Sequence, residues 1–517
     1  MFVKITKAKD KKYVQLVRSY REGGKVKHKL VLNLGRTDIK ENLDTLRSIG
    51  EKLIKLVGLD LSKATGGTIL NYGYLPYKKI WNGFGLPEIL KQSSGSIEFS
   101  LNDPVFLMSI THLLNPSSKL KAYNLKDRYL GLPDIKLHNL YRSLDILAGN
   151  KEKIEDYLFY KNKDLFNLSL DIVFYDVTTF YFESVKKDSL KDFGFSKDNK
   201  LNEVQVVLGL LIDKNGMPVG YELFPGNTYE GKTLEKSLIK LKERFKIDRI
   251  IVVADKGMNS KINLEKIKDM GFNYIISSRL KSLNKELLKK VLSKEGFIHD
   301  KDYDYKKIDL KDKSLIVTYS DKRAQNDEKK REKLINKAKE YAEKPSLIKA
   351  SNKRGGKKYI KGTGKCSFCL DEDAISKDKI FDGYYAVETN DLSISPKEII
   401  SNYGMLWKIE ESFRIMKSSM EVRPIFHWTE ERIKGHFVVC FLSFLLERTL
   451  EFKLKEKDID HSTEQIKEAL NSMNFTKINH EGKDYAIKDD FLPLTHKILK
   501  TLSLKPFKDT TLLEEIL

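Results

Sequence analysis

Cysteine and long apolar runs are scarce in this sequence. Only 3 cysteines occur in 517 residues, which excludes a disulfide framework and suits a reducing compartment. No run of about 18 apolar residues is present, so a transmembrane helix is not expected. The opening residues, MFVKITKAKDKKY, do not resemble a signal peptide. We therefore expect a cytoplasmic protein with no membrane partner.

Acidic residues are also too few to balance the basic ones. The chain has 94 Lys+Arg against 73 Asp+Glu, a formal net charge of +21. A surplus of this size favours a polyanionic partner, and nucleic acid remains once a membrane is set aside. We therefore expect the protein to be associated with the nucleoid.

Changes of hydrophobic pattern divide the chain into four parts, with no internal repeat. Residues 1–40 predict an N-terminal β-ribbon with a turn at Gly23-Gly24. Five alternating residues are expected to point the same way: Val26, His28, Leu30, Leu32 and Leu34. Residues 41–165 predict a helical DNA-binding region, and residues 451–517 a C-terminal helical tail.

The segment between them, residues 166–450, predicts an α/β core. NLSLDIVFYDVTTFYF is typical of a strand buried on both faces. Two hairpin strands, a helix, the strand RIIVVAD, a short helix and the strand YIISS follow. This order predicts a mixed sheet with helices on both faces. Lysine-rich residues 281–378 are interpreted as an insertion, because FDGYYAVETN resumes a strand pattern.

Two aspartates follow strong strand patterns. Asp176 comes after DIVFY, and Asp255 comes after RIIVVA. The carboxyl ends of strands in an open sheet are where ligands bind, so both carboxylates are candidate metal ligands. Either aspartate alone could instead cap the loop or helix that follows.

A third carboxylate, Glu410, lies in a predicted helix. PKEIISNYGMLWKIEESFRIMKSSM spans about seven turns, beginning after Ser395 as the N-cap. Helical spacing predicts a core stripe of Leu406, Ile409, Phe413, Met416 and Met420. A neighbouring stripe contains Tyr403, Trp407, Glu410, Arg414 and Lys417. The ordinary alternative is an amphipathic boundary with a Glu410–Arg414 ion pair.

Asp176, Asp255 and Glu410 together predict a two-metal site. Three carboxylates at one sheet would hold two divalent cations about 3.5–4 Å apart, and oxygen ligands favour Mg²⁺ or Mn²⁺. Such a pair activates a hydroxyl nucleophile and stabilises a leaving 3′ oxygen during phosphoryl transfer. Cys366-Ser-Phe-Cys369 has no second cysteine pair, so a structural zinc site is disfavoured.

These motifs resemble the DDE insertion-sequence transposases with a ribonuclease-H-like core, of the insertion-sequence-four (IS-four) type. YDVTTFYFES resembles the first-aspartate strand of that family, and VVADKGMNS its second-aspartate turn. The third motif of the family spaces Tyr, Arg, Glu and Lys along a helix. Tyr403, Glu410 and Lys417 match it, and Leu406 stands at the arginine position.

The resemblance implies a ribonuclease-H-like fold and metal-dependent cleavage at transposon ends, followed by strand transfer into target DNA. Asp176, Asp255 and Glu410 would be the catalytic carboxylates, with Mg²⁺ or Mn²⁺. Double-stranded DNA would be the partner, with a homodimer acting on paired ends.

The same resemblance implies DNA contacts by the stripe beside Glu410. Tyr403 and Lys417 would contact the end DNA, and Lys408 or Arg414 could replace the missing arginine. Trp407 is a further candidate, by stacking on an unpaired base. Two alternatives stay open: a metal-dependent nuclease that cuts without joining, and a DNA-binding relic without catalysis.

Overall fold

The fold is described from a computed structural model of the chain. It describes residues 1–8, 11–37, 40–55, 64–166, 171–194, 202–229, 232–245, 250–344, 355–362 and 368–516. Within these ranges no helix is long and apolar enough to cross a membrane.

The N-terminal region is a three-stranded antiparallel sheet with one helix. Its elements are β1 (Phe2–Ala8), β2 (Lys11–Glu22), β3 (Lys25–Thr37) and α1 (Lys40–Lys55). The ribbon is present, but the prediction that Val26 to Leu34 alternate on one face is wrong. Leu32 pairs with Leu16 whereas Leu30 pairs with Val17. Because neighbouring residues of β2 face opposite ways, this bulge puts Leu30 and Leu32 on opposite faces.

The next region contains one strand and six helices. These are β4 (Ala64–Asn71), α2 (Leu75–Gly83), α3 (Leu86–Ser93), α4 (Asn102–Leu114), α5 (Lys119–Leu125), α6 (Leu137–Gly149) and α7 (Lys151–Phe166). The helices follow the predicted apolar spacing, and α4 is buried along most of its length. A wholly helical region was expected, so β4 corrects that prediction.

Five strands and two helices form the centre of the α/β core. They are β5 (Ile172–Tyr181), β6 (Gln205–Asp213), β7 (Pro218–Pro225), α8 (Thr233–Ile239), β8 (Ile251–Ala254), α9 (Lys261–Asp269) and β9 (Asn273–Ser277). β5, β6 and β7 pair antiparallel, while β8 and β9 run parallel to β5. The spatial order β7-β6-β5-β8-β9 is that of a ribonuclease-H-like sheet, as predicted.

The predicted insertion adds strands to this sheet. Its elements are α10 (Lys285–Leu292), β10 (Ile298–Asp300), β11 (Tyr303–Asp309), β12 (Ser314–Tyr319), α11 (Asp321–Glu343), β13 (Ile360–Gly362), β14 (Phe368–Leu370) and α12 (Glu372–Lys379). The chain returns to the core as β15 (Tyr384–Thr389), which pairs antiparallel with β9 and β12. The sheet therefore continues as β9-β15-β12-β11-β10 and reaches nine strands.

The rest of the chain combines helices and strands. It contains α13 (Pro396–Gly404), α14 (Trp407–Arg414), α15 (Glu430–Lys455), α16 (Thr463–Asn471), β16 (Asn474–His480), β17 (Lys483–Lys488), α17 (Pro493–Thr501) and β18 (Thr510–Leu512). The prediction of a purely helical tail is therefore wrong. β16 pairs with β4, so the sheet β18-β17-β16-β4 joins the two ends of the chain. The pairing of β4 with β16 is nonlocal, whereas β16 and β17 form a local hairpin, with a turn at Glu481-Gly482, that the prediction missed.

Helix α15 lies at the centre of the largest apolar core. Most of its residues are buried, from Ile433 to Leu454, and the core also takes in α2, α4, α6 and one face of the main sheet. Gly435 allows the close crossing with α6, because a Cβ there would lie 2.0 Å from Leu144 O. The absence of a side chain at Gly435 thus fixes how the helical region rests on the core.

We expect Gly435→Ala to destabilise the protein by about 1–3 kcal/mol, the usual cost of overpacking. The added methyl meets backbone of α6, which cannot rotate away as a side chain would. Urea unfolding followed by circular dichroism measures the effect. Gly149→Ala is the matched control, since a Cβ there meets nothing within 4 Å. Equal stability of both variants would contradict the close crossing.

Candidate active site

Asp176 and Asp255 lie side by side on neighbouring parallel strands. The paired residues of β5 and β8 are Ile172 with Ile251 through Phe174 with Val253. Two more residues along each strand lead to Asp176 and Asp255, so the same register aligns them. Neighbouring strands lie about 4.8 Å apart. The pairing therefore brings the backbone segments that carry the two aspartates to neighbouring positions at one edge of the sheet.

Asp176 does not end its strand, contrary to the sequence prediction. β5 continues to Tyr181, and Asp176 pairs with Leu210 of β6. The parallel pairing with β8 ends at Phe174, so Asp176 lies just beyond it. Asp255 directly follows β8, as predicted. The rim of the site is therefore set by the end of β8 rather than by the end of β5.

Strand alternation turns both aspartates to the face covered by the C-terminal helices. Phe174 and Phe180 of β5 and Val253 of β8 belong to the core shared with α13, α14 and α15. Residues two or four apart share a face, so Asp176 and Asp255 join these three. The opposite face packs against α8 and α9 through a separate apolar cluster.

The helix carrying Glu410 is interrupted, which corrects the prediction of one seven-turn helix. α13 ends at Gly404 and α14 begins at Trp407. Across the break, Lys408 N donates to Met405 O at 3.0 Å and Ile409 N to Leu406 O at 3.2 Å. These bonds span three residues instead of four, so the turn is tighter than an α-helix. A π-helical turn over Ile415–Ser419 follows α14.

The predicted core stripe is confirmed despite this break. Leu406, Ile409, Phe413, Met416 and Met420 are all buried. α13 packs against β8, β9 and β15, and α14 packs against β5. The segment thus crosses the sheet above Asp255 first and reaches β5 with Glu410 in the first turn of α14.

Glu410 and its neighbour Glu411 have different surroundings. The Glu411 carboxylate lies 3.3 Å from Arg448 Nη1 and 3.4 Å from Arg414 Nη2. Arg448 is buried and also pairs with Glu451 at 2.6 Å. Glu411 is therefore a structural ion-pair partner, and Arg414 pairs with it instead of with Glu410. Glu410 is exposed and remains the candidate metal ligand.

Tyr403 and Lys417 flank this part of the sheet on either side of Glu410. The Tyr385 hydroxyl lies 2.6 Å from the Tyr403 hydroxyl and 2.8 Å from Ser277 Oγ. Burial raises the pKa of Tyr403, and Tyr385 and the nearby Asp255 charge raise it further. Lys417 Nζ lies 5.7 Å from the ring centroid of Phe180 on β5.

The remaining predicted DNA contacts differ in exposure. Trp407 is 50% exposed, and the Arg414 side chain is 72% exposed, so both can reach a ligand. Leu406, at the arginine position of the family motif, is buried in the core. Lys408 Nζ donates to Lys214 O at 2.6 Å, and burial lowers its pKa. Lys408 is thus tied to the β6–β7 turn, which leaves Arg414 as the better replacement.

Asn259 was not singled out by the sequence, yet it fixes the turn after Asp255. Its Nδ2 donates to Ser277 O at 2.8 Å and to Glu388 Oε1 at 2.6 Å, which ties the turn to β9 and β15. Asp255 Oδ1 accepts from Gly257 N at 2.7 Å. Asn259 could have been identified from the sequence by its position in the motif VVADKGMNS, four residues after Asp255.

A cavity of about 680 Å³ adjoins Asp255 and is rich in basic residues. It begins at Lys256 and Gly257 and extends towards α11. Seven of its side chains are basic and three are acidic: Lys256, Arg279, Lys281, Arg323, Lys330, Arg331 and Lys358 against Asp327, Asp378 and Asp382. The lysine-rich insertion is visible in the sequence, but its position beside Asp255 is visible only in the structure.

The three predicted carboxylates do not form a tight cluster. Among the described residues, His112, His436 and Cys440 are the group whose candidate metal-binding atoms all lie within 4.8 Å. In that buried group, Lys119 Nζ lies 3.2 Å from His112 Nε2 and 3.3 Å from His436 Nδ1. The lysine thus already fills the space between the two imidazoles. Of the predicted cysteine pair, Cys366 lies outside the described residues.

Solved structures offer only distant similarity. A piggyBac transposase synaptic complex with hairpin DNA matches at 9% identity, covering 78% of this chain and 80% of that chain, with a TM-score of 0.39. A pre-cleavage Mos1 transpososome matches at 10% identity, covering 35% and 60%, with a TM-score of 0.16. At these scores the superpositions support no conclusion about this chain. None of the curated protein sequences matches it.

Two protein families match the sequence itself. Residues 3–58 match the N-terminal domain of IS1634 family transposases, so the narrower IS-four assignment is not confirmed. Residues 168–446 match the transposase DDE domain. This second match covers more than half of the chain and contains Asp176, Asp255 and Glu410. The chain therefore belongs to the transposase DDE domain family.

Proposed function

We propose that this DDE transposase cuts DNA at the ends of an insertion sequence and joins those ends to target DNA, using Asp176, Asp255 and Glu410. The observation that supports these residues most is the β5–β8 register, which aligns the two aspartates on the face crossed by α13 and α14. The packing of α14, which carries Glu410, against β5 supports the third ligand. Three oxygen ligands on rigid elements suit hard divalent cations.

Mg²⁺ or Mn²⁺ would be held by these three carboxylates. Ligands of two cations about 3.5–4 Å apart need not all touch one another, so their looser spacing fits a two-metal site. When bound, such ions activate the attacking hydroxyl and stabilise the leaving oxygen. The chain itself positions the ligands: Gly257 N orients Asp255, and Val177 N donates to Asp176 Oδ1 at 2.7 Å.

DNA would enter beside Asp255 along the basic cavity. Its surplus of cations complements phosphates, whose contacts position a nucleic acid without reading its sequence. Lys417 and Arg414 extend this positive surface on the other side of Glu410, and Trp407 offers an exposed ring. Paired-end cleavage by a homodimer and the IS-four type belong to this proposal as hypotheses.

A nuclease that cuts without joining is the second candidate. It would need the same metal site, so the carboxylate geometry supports both. The extended basic surface favours the transposase, because joining requires an end and a target to be held together. An assay that scores cutting and joining separately distinguishes the two.

Removal of one carboxylate should abolish catalysis. We expect Asp176→Asn, Asp255→Asn and Glu410→Gln each to lower Mg²⁺-dependent cleavage and joining of the gene's flanking DNA about a thousandfold or more. The reason is that bound metal ions supply several kcal/mol of transition-state stabilisation, which is lost with a ligand. Asp171→Asn and Glu411→Gln are the controls, since Asp171 precedes β5 and Glu411 faces Arg448. Full activity of Glu410→Gln alongside loss in Glu411→Gln would reverse the assignment.

Metal binding should be detectable without DNA. Bound ions relieve repulsion among the carboxylates, so Mn²⁺ at about 100 times its dissociation constant should stabilise the folded protein by about 2.7 kcal/mol. Thermal unfolding with and without Mn²⁺ measures this. The double variant Asp176→Asn, Asp255→Asn should show no such shift, and an unchanged shift would place the metal elsewhere.

Glu410 and Glu411 should also differ in their effect on stability. Glu411→Gln should lower the free energy of unfolding by about 1–3 kcal/mol, because buried Arg448 loses a charged hydrogen-bond partner. Glu410→Gln should stay within about 0.5 kcal/mol of wild type, as expected for an exposed residue. Urea unfolding of the two variants measures both, and the reverse order would contradict the described contacts.

A further inference from the structure

The N-terminal ribbon ends in an arm, residues 18–30, that projects beyond the paired part of β1, and the Phe2 ring of β1 contacts His28 of the arm at 5.3 Å between ring centroids. All residues from Arg18 to Leu30 are exposed. The supporting strand β1 pairs only with residues 11–17 of β2, so beyond Val17 the arm is two-stranded. It spans roughly 17 Å along β2, at about 3.4 Å per residue.

The two faces of this arm differ in charge because lysines alternate with uncharged residues along β3, from Lys25 to Lys29. Cross-strand pairs share a face, and the pairs Arg18–Lys29, Tyr20–Lys27 and Glu22–Lys25 form what we term the lysine face. The pairs Ser19–His28 and Arg21–Val26 form the opposite face. The lysine face thus carries four Lys and Arg side chains and one carboxylate, whereas the opposite face carries one arginine.

We infer that the lysine face of this arm binds double-stranded DNA. A two-stranded β-ribbon fits the major groove, which is about 12 Å wide and about 8.5 Å deep. Lys25, Lys27 and Lys29 of β3 lie together on this face. Lys27 also pairs with Glu22 at 2.8 Å, but an exposed pair of this kind stabilises the protein little, so a phosphate can replace the carboxylate. The inference rests on the proposed function, in which the protein acts on duplex ends, and it adds a contact surface far from the carboxylates in sequence.

A second copy of the chain fits this arm less well than DNA does. Neither edge of the arm pairs with another strand of the described residues, and unpaired edges can pair with another chain. However, the lysine faces of two arms would repel each other, and lysines along an edge oppose such pairing. Charge complementarity therefore favours the polyanion.

A triple variant tests the contact. Lys25→Gln, Lys27→Gln and Lys29→Gln together should weaken binding of the full chain to a duplex from the gene's flank at least about tenfold. The slope of log affinity against log salt should fall by about 2.7, because each lost phosphate contact removes about 0.9. Fluorescence anisotropy over a salt series measures both. An unchanged slope would overturn the inference.

Arg18→Gln and Arg21→Gln provide a matched pair. Both remove one exposed arginine from the same strand, but only Arg18 lies on the lysine face. Arg18→Gln should lower the salt slope by about 0.9, and Arg21→Gln should leave it unchanged. Equal effects of the two substitutions would mean that the arm attracts DNA through its net charge alone. That outcome would overturn a contact specific to the lysine face.

Failure of this inference can be separated from failure of the proposed function. Asp176→Asn should bind the duplex with the wild-type salt slope yet fail to cut it. If the wild type cuts but the triple variant binds equally well, the arm is not the contact and the catalytic assignment stands. If the wild type binds through the arm but cuts no DNA with any metal, the catalytic assignment fails.

A change of oligomeric state in the triple variant, measured by light scattering without DNA, would instead identify an interface between copies and overturn the inference.

Discussion

The parallel pairing of β5 with β8 is the constraint on which the proposed active site depends. A shift of one residue in that register would move Asp255 out of line with Asp176 and turn one side chain to the opposite face. Both strands are buried on two faces by different clusters, so such a shift would expose apolar residues on each side. The hydrophobic cores therefore hold the carboxylates in register, although neither core contains them.

The same cores explain how Glu410 reaches the sheet. Ile409 and Phe413 bury themselves beside Phe174 and Phe180 in the cluster around α15, and this anchors α14 over β5. Glu411 strengthens the anchor through Arg448. The proposed metal ligand Glu410 is thus exposed between two residues that fix its helix, the apolar Ile409 and the charged Glu411.

The central sheet could be predicted because its strands are continuous apolar runs with distinctive order. Asp255 and the core stripe of the glutamate helix followed from local spacing in the same way. The break at Met405–Leu406 could not, because the apolar stripe continues across it and only contact with the sheet reveals the tighter turn. β4 escaped prediction because its partner β16 lies some 400 residues away, whereas the β16–β17 hairpin is local and was overlooked. The choice of Glu410 over Glu411 came from a family spacing and stays a prediction, and the Glu411–Arg448 ion pair that supports it could not be read from the sequence.

The insertion leaves the sheet at Ser277 and returns at β15, directly beside the strand it left. Ser277 pairs with Val387, and Ser278 N donates to Ala386 O at 2.8 Å. The chain between them is therefore topologically a hairpin loop, whatever its length. The entropic cost of closing a loop grows only slowly with its length, so evolution could lengthen, shorten or exchange this segment without disturbing the strands that carry the carboxylates. Transposases that share one catalytic chemistry could therefore differ in how they bind DNA through changes in this segment alone.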